Sequence, residues 1–418
     1  MAVAVLFALV APAIFSQTLP APKQEKLLNG LKVLMWSDAK ANDVSVKIRI
    51  HAGSAFDPQG KEGVMQLLAN NIFPNEAARE FFTEDLGGSL EIVTNYDYIQ
   101  INASSKPDQF LTMLETVAAA VSNMSIDKEV TVKLRNTLAA KLAGLEADPS
   151  YVADQAVAKR LFGTFPYGRP RFGTPDSLQK IDFADLIDAK QRFLTADNAT
   201  VAVSGNFDKA LGFRAIRRYF GGWLKSDKRV PPTFRQPDEP SSAIIVVEAA
   251  QPYAGMFRFA IRGVARNDKE LGSSVIFASI VENRLRSRVP ESLARALTVS
   301  NDYHVLPGRL TIGFNSIVDD NLRWSIGKTE ASDLVGKLIA EPITESEFQN
   351  AKNSAQAVWA KKSPHSFWLD VDTYKIANAE ADARIVANAT IADVNSYADR
   401  TRKSVIAGVV FNKSSQAN

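Results

Sequence analysis

Ile126-Asp127-Lys128-Glu129 opens one long helical pattern and Ile343-Thr344-Glu345-Ser346 opens another, an offset of 217 (343 − 126). Phe183-Ala184-Asp185-Leu186 and Ile391-Ala392-Asp393-Val394 stand 208 apart (391 − 183). Two matches at a similar long period, in one element order, argue for a duplicated unit. Outward from them, the first copy reads as strands at Leu31–Met35 and Val44–Ile50, then a helix at Lys61–Phe73. A strand pair at Ser89–Val93 and Tyr98–Ala103 follows, then helices at Pro107–Asn123 and Asp127–Glu146. Phe110, Leu114, Val117 and Val121 give the first of these helices one apolar face. The copy closes on a helix at Phe183–Phe193 and a strand at Thr200–Ser204.

The second copy keeps the order, with strands at Ile244–Val247 and Met256–Ile261, a helix at Lys269–Arg286, and strands at Leu297–Ser300 and Leu310–Phe314. Helices at Asn321–Ala340, Glu345–Lys361 and Ile391–Arg400 and a strand at Ser404–Val410 complete it. Strand pairs on short turns, followed by consecutive helices, predict an α+β fold of two tandem homologous units, each a mainly antiparallel sheet packed against helices. Residues 225–242, with Pro231, Pro232, Pro237 and Pro240 among charges, are the expected linker between domains at 18–224 and 243–418.

Composition narrows the function. With 49 basic and 46 acidic side chains and no basic tract interleaved with aromatics, nucleic acid is excluded as a partner. The chain has no cysteine, which excludes disulfides, thiolate nucleophiles and thiolate metal ligands. Ala2 to Phe15 is an almost unbroken apolar run ending in Ser16, Gln17 and Thr18. It reads as a signal peptide over residues 1–17, cleaved near Ser16 or after Ala13, and predicts a periplasmic or otherwise exported protein. No Lys or Arg precedes the run, so an N-terminal anchor or a misplaced start codon stays open as the alternative. No later segment is long and apolar enough for a membrane helix.

A family resemblance runs through the first half. Leu27-Leu28-Asn29-Gly30-Leu31-Lys32-Val33-Leu34 resembles the first strand, with its leading turn, of the pitrilysin/insulinase family of zinc peptidases. The series continues through Ala52-Gly53-Ser54-Ala55-Phe56-Asp57-Pro58, Gly63 to Phe73, Gly87-Gly88-Ser89-Leu90, Pro166-Tyr167-Gly168 and Gly173-Thr174-Pro175. Catalytic members carry H-x-x-E-H on the helix that begins near Gly63. Two imidazoles four residues apart bind one zinc ion, and the glutamate activates its water. Here the matching positions are Gln66, Ala69 and Asn70, and the place of the third ligand, a glutamate, falls on Lys141. The resemblance therefore implies a member without the zinc motif and with no cofactor. The only histidines, His51, His304 and His365, have no local metal-ligand spacing.

Within the processing-peptidase-like group, the resemblance implies a companion that partners a zinc-bearing homologous subunit and helps to enclose its peptide substrate. A stand-alone peptide-binding or scaffolding protein of the same fold is the second expectation. Some zinc-less members lend an arginine and a tyrosine to substrate. An ungapped match puts Pro290 and Leu297 at those places, and a shifted one offers Arg295 and Tyr303 as weak substrate-binding candidates.

Overall fold

Strict alternation builds the first sheet: Val44, Val46, Ile48 and Ile50 of one strand are fully buried, whereas Ser45 and Lys47 between them are half-buried. The computed structural model describes residues 19–226, 234–249, 256–291, 297–315, 318–319, 322–323 and 326–413. The expected signal segment and Arg295 lie outside them, as does part of the expected linker. The first-half strands are β1 (Lys23–Lys26), β2 (Lys32–Ser37), β3 (Val44–Ile50), β4 (Ser89–Thr94), β5 (Ile99–Ser105) and β6 (Ala199–Gly205). Those of the second half are β7 (Ile245–Ala249), β8 (Met256–Arg262), β9 (Thr298–Asp302), β10 (Arg309–Asn315), β11 (Val318–Asp319), β12 (Leu322–Arg323) and β13 (Ala407–Lys413).

The first sheet runs β1-β2-β6-β3-β5-β4 and the second β7-β13-β8-β10-β9. Without β1 the two orders correspond strand for strand. Each sheet is antiparallel except for one pair, β2 with β6 and β7 with β13. The α+β duplication expected from the sequence is thus present in the strand order.

The first-half helices are α1 (Val64–Asn70), α2 (Ala77–Glu80), α3 (Phe110–Ser122), α4 (Lys128–Glu146), α5 (Pro149–Phe162), α6 (Pro175–Gln179), α7 (Phe183–Phe193) and α8 (Lys209–Phe220). The second half has α9 (Leu271–Arg286), α10 (Lys328–Ala340), α11 (Glu345–Ala360), α12 (Pro364–Tyr374), α13 (Ala379–Ala383), α14 (Ile385–Asn388) and α15 (Ile391–Thr401). Among the boundaries that differ from the sequence reading, two have a plain cause. Helix α1 starts only at Val64, because Gly63 at φ 108° turns the chain in the left-handed region that favours glycine. The helix expected from Asn321 starts at Lys328, where the Glu330 carboxylate accepts from the Gly327 amide, and β11 and β12 occupy part of the residues before it.

Helices α5 and α12, absent from the sequence reading, join the halves by reciprocal exchange. Helix α5 leaves the first half to cover the second sheet: Val157, Leu161 and Phe162 pack with Ala260, Ala407 and Val409, and Ala153 with Met256 and Phe411. Helix α12 returns the exchange, setting Leu369 against Leu34, Trp36 and Ala202 of the first sheet. Each sheet is therefore buried on both faces, one by its own helices and one by its sister's.

Under each exchanged helix lies a buried arginine. Arg49 on β3 donates from Nη1 to Asp370 on α12 at 2.6 Å, and Arg258 on β8 donates from Nε to Asp154 on α5 at 2.7 Å. Strands β3 and β8 hold the same place in their sheets, so the pairs repeat the duplication in chemical form. The Asp370 side takes more charge: its other oxygen accepts from Arg266 Nη2 at 3.1 Å and from Lys362, and Arg266 forks onto both oxygens of Asp382 at 2.6 Å. Burial alone would raise the Asp370 carboxyl, but Lys362, Arg49 and Arg266 hold it below the usual carboxylate value.

Removing one partner from such a cluster leaves buried cations uncompensated. Asp370→Asn is expected to cost about 3 to 5 kcal/mol of unfolding free energy at neutral pH. Because the folded pKa is depressed, this contribution is present above the ordinary value of 3.8 and is lost as pH falls through the lower folded value. Urea titrations of wild type and variant should therefore show a gap at pH 7 that narrows below pH 3.8; a gap that does not change with pH would refute the assignment. Proteolytic cleavage between Lys225 and Ser242 is expected to yield fragments that co-elute on gel filtration in native buffer and part only in denaturant, since each fragment holds a helix the other needs.

Candidate functional site

Asp57, fully buried, sets the direction of α1. Its carboxylate accepts from the amides of Gly63 at 2.8 Å and Met65 at 2.7 Å, fixing the start of the helix. Burial pushes the Asp57 carboxyl up to about 7, against the pull of those two amides and of Arg169. Arg169 ties the loop down from outside, donating to the carbonyls of Asp57 at 2.8 Å and Ala55 at 3.1 Å. Val64, Met65, Leu67, Leu68 and Ala69 of the helix are buried, leaving Gln66 and Asn70 half-buried one turn apart.

These two amides close on each other. Gln66 Nε2 donates to Asn70 Oδ1 at 2.9 Å, and Ala69 between them is fully buried without a polar atom. Helix α4 packs against α1, and its Lys141 carries its ammonium 4.9 Å from the centre of the Phe172 ring. Arg171 stacks on the same ring at 4.6 Å. The donor set does not fit a zinc ion: two neutral amides bonded to each other, an alanine and a cation that repels a metal. Among the described residues, no group of three or more His, Asp or Glu side chains is placed to share an ion.

The histidines are far apart in role. His51 sits between the hydroxyls of Thr373 and Thr200, each at 3.0 Å. His304 Nδ1 lies 2.8 Å from Asp97 across the two halves, with its ring packed on Tyr167. His365 packs at a tilt on Trp36, with ring centres 4.5 Å apart, and burial followed by Lys47 lowers its pKa. Tyr303 packs 6.2 Å from Trp359 and 5.7 Å from the Arg266 guanidinium, in the interior of the second half. Tyr303 is half-buried, and Arg295 lies outside the described residues.

The sequence reading missed the setting of the polar α1 face, which lies beside an open sheet edge. Strand β4 ends the first sheet, pairs only with β5 among the described residues, and packs against α1. Its outer backbone groups can pair with an extended chain. The arrangement can hold a peptide next to α1, and its side chains supply neither metal ligands nor a base there.

Comparison with known proteins bears on the family and the fold. The family profile described as Insulinase (Peptidase family M16) matches residues 32–175, and the one described as Peptidase M16 inactive domain matches residues 180–355. An uncharacterized zinc protease of Rickettsia bellii is 20% identical over 49% of this chain and 50% of its own length. A mitochondrial cytochrome b-c1 complex reductase subunit of Candida albicans is 24% identical over 44% of this chain and 41% of its own. The chain thus spans half or less of the length of these two relatives. A crystal structure of a peptidase M16 inactive domain from Pseudomonas fluorescens has the same fold, with a TM-score of 0.80, 18% identity and coverage of 94% of this chain and 98% of its own.

Dialysed protein is expected to retain no stoichiometric zinc by elemental analysis. One tightly held zinc per chain would contradict the reading of Gln66, Ala69, Asn70 and Lys141.

Proposed function

We propose that this chain, which belongs to the insulinase (M16) peptidase family, is a non-catalytic companion subunit that helps a zinc-bearing relative to enclose extended peptides. One observation carries the reading: the two-sheet scaffold is complete, down to its exchanged helices and paired arginines, while the residues at the metal positions are bonded to each other or to an aromatic ring. A scaffold kept whole around a metal-incompetent site still offers a wall and a sheet edge. Strand β4 supplies backbone pairing for an extended peptide, and enclosure raises a partner's turnover by positioning substrate and excluding water. Such help requires no chemistry from this chain.

Two further observations support partnership and place. The Candida albicans relative is by name a subunit of a larger complex, so sequences of this kind serve within assemblies. The apolar run Ala2 to Phe15 fits export, which makes the periplasm the compartment of the proposed pair.

The purified chain alone is expected to leave a broad peptide library uncut. Mixed with a zinc-bearing M16 relative from the same cell, it should co-elute with that relative and raise its peptide turnover. If the two proteins stay separate at micromolar concentration and turnover does not change, the companion role fails. Saturable binding of library peptides by the isolated chain would then favour the stand-alone binding reading.

A further inference from the structure

Two leucines stand at one corner of the first half with their side chains in solvent. Leu28, in the turn between β1 and β2, is 106% exposed, and Leu224, just after α8, is 77% exposed. Both loops are rigid. Gly30 at φ 92° closes the first, its amide donating to Leu27 O at 2.9 Å. The second is held by the Ala196 amide on Leu224 O at 2.8 Å and by the Trp223 indole on Leu194 O at 3.1 Å. Asn29 locks the loops together, donating to Phe220 O at 2.8 Å and Trp223 O at 3.0 Å. In each loop a buried neighbour, Leu27 or Trp223, anchors the backbone that holds the exposed leucine out.

Cations flank the pair in both loops. Lys26 ends β1, Arg217 and Arg218 lie in the last turn of α8, and Lys225 follows Leu224, all exposed. Of the nearby acids, Asp197 lies against Gly30 and accepts from the Ser226 amide at 2.9 Å, and Glu25 on β1 pairs with Lys23 at 3.1 Å. Single exposed leucines are ordinary on protein surfaces. Two on loops bonded to each other and flanked by exposed cations form an apolar point too small for a stable protein interface. A bilayer suits such a point, since its interface accepts isolated apolar points and its anionic headgroups attract the flanking cations.

We infer that this corner docks the protein on an anionic membrane surface, with Leu28 and Leu224 entering the headgroup layer and Lys26, Arg217, Arg218 and Lys225 facing lipid phosphates. The order already present in both loops lowers the entropy lost on docking.

Co-sedimentation of the full chain with vesicles of phosphatidylglycerol and phosphatidylethanolamine tests this, with pure phosphatidylcholine vesicles as reference. The expected result is binding to the anionic vesicles, weakened by salt and nearly absent on the reference. The double variant Leu28→Ser/Leu224→Ser should weaken it about tenfold with an unchanged melting transition, since both side chains lie outside the core. Absence of binding to anionic vesicles would overturn the inference. So would unchanged binding of the double variant, which would assign it to another segment such as the apolar N-terminal run. Cross-linking of a protein partner that depends on the two leucines, without vesicle binding, would assign the corner to that protein and likewise overturn it.

Discussion

The fold depends on charges that only the opposite half can neutralise. Arg49 and Arg258 occupy the faces of β3 and β8 that point away from each half's own helices, where a lone half would leave them to water. In the whole molecule both guanidiniums are buried, and a buried guanidinium without a carboxylate is costly. Asp370 and Asp154 answer that demand, each from a helix of the other half. The apolar contacts of the exchanged helices give the interface its area, and the two ion pairs give it its register. A shift of α12 by one turn would leave Leu369 near apolar neighbours, yet it would take Asp370 from Arg49 and leave Arg266 with Asp382 alone.

Much of this was legible in the sequence, and the exceptions have separate causes. Alternation in β3 and the apolar face of α3 gave those elements their type, and the recurrence of Ile126 and Phe183 in the second half gave the duplication. Helix α12 escaped because it is not built like a surface helix. Helix α12 buries Asp370 and Thr373 beside Phe367 and Leu369, so no clean apolar stripe appears along it. The partner that makes Asp370 tolerable inside, Arg49, is 321 positions away, beyond any local pattern. Strand β1, Lys-Gln-Glu-Lys, reads as polar loop because it is an edge strand whose charges are its protection against further pairing.

At the candidate site, residue chemistry was legible and residue company was not. Alanine at 69 cannot act as a base, and the cation of Lys141 repels a metal, whatever their surroundings. That Gln66 and Asn70 satisfy each other, and that Lys141 rests on Phe172, needed the structure. These contacts matter for the reading, because polar groups that have found partners are at rest and need no ligand. The same logic applies to the three histidines, each engaged in a different place.

The helix exchange also sets a timetable for the chain as it is made. The second sheet's covering helix, α5, is synthesised before that sheet exists, whereas the first sheet's covering helix, α12, arrives only after residue 364. Until then the outer face of β2 and β6, with Leu34, Trp36 and Ala202, has no cover of its own. Contacts separated by hundreds of residues close late and slowly, and a bare apolar sheet face is prone to aggregate while it waits. Vectorial synthesis therefore leaves that face of the first sheet without its covering helix for most of translation, and a circular permutant that places α12 ahead of β2 would shorten that exposure.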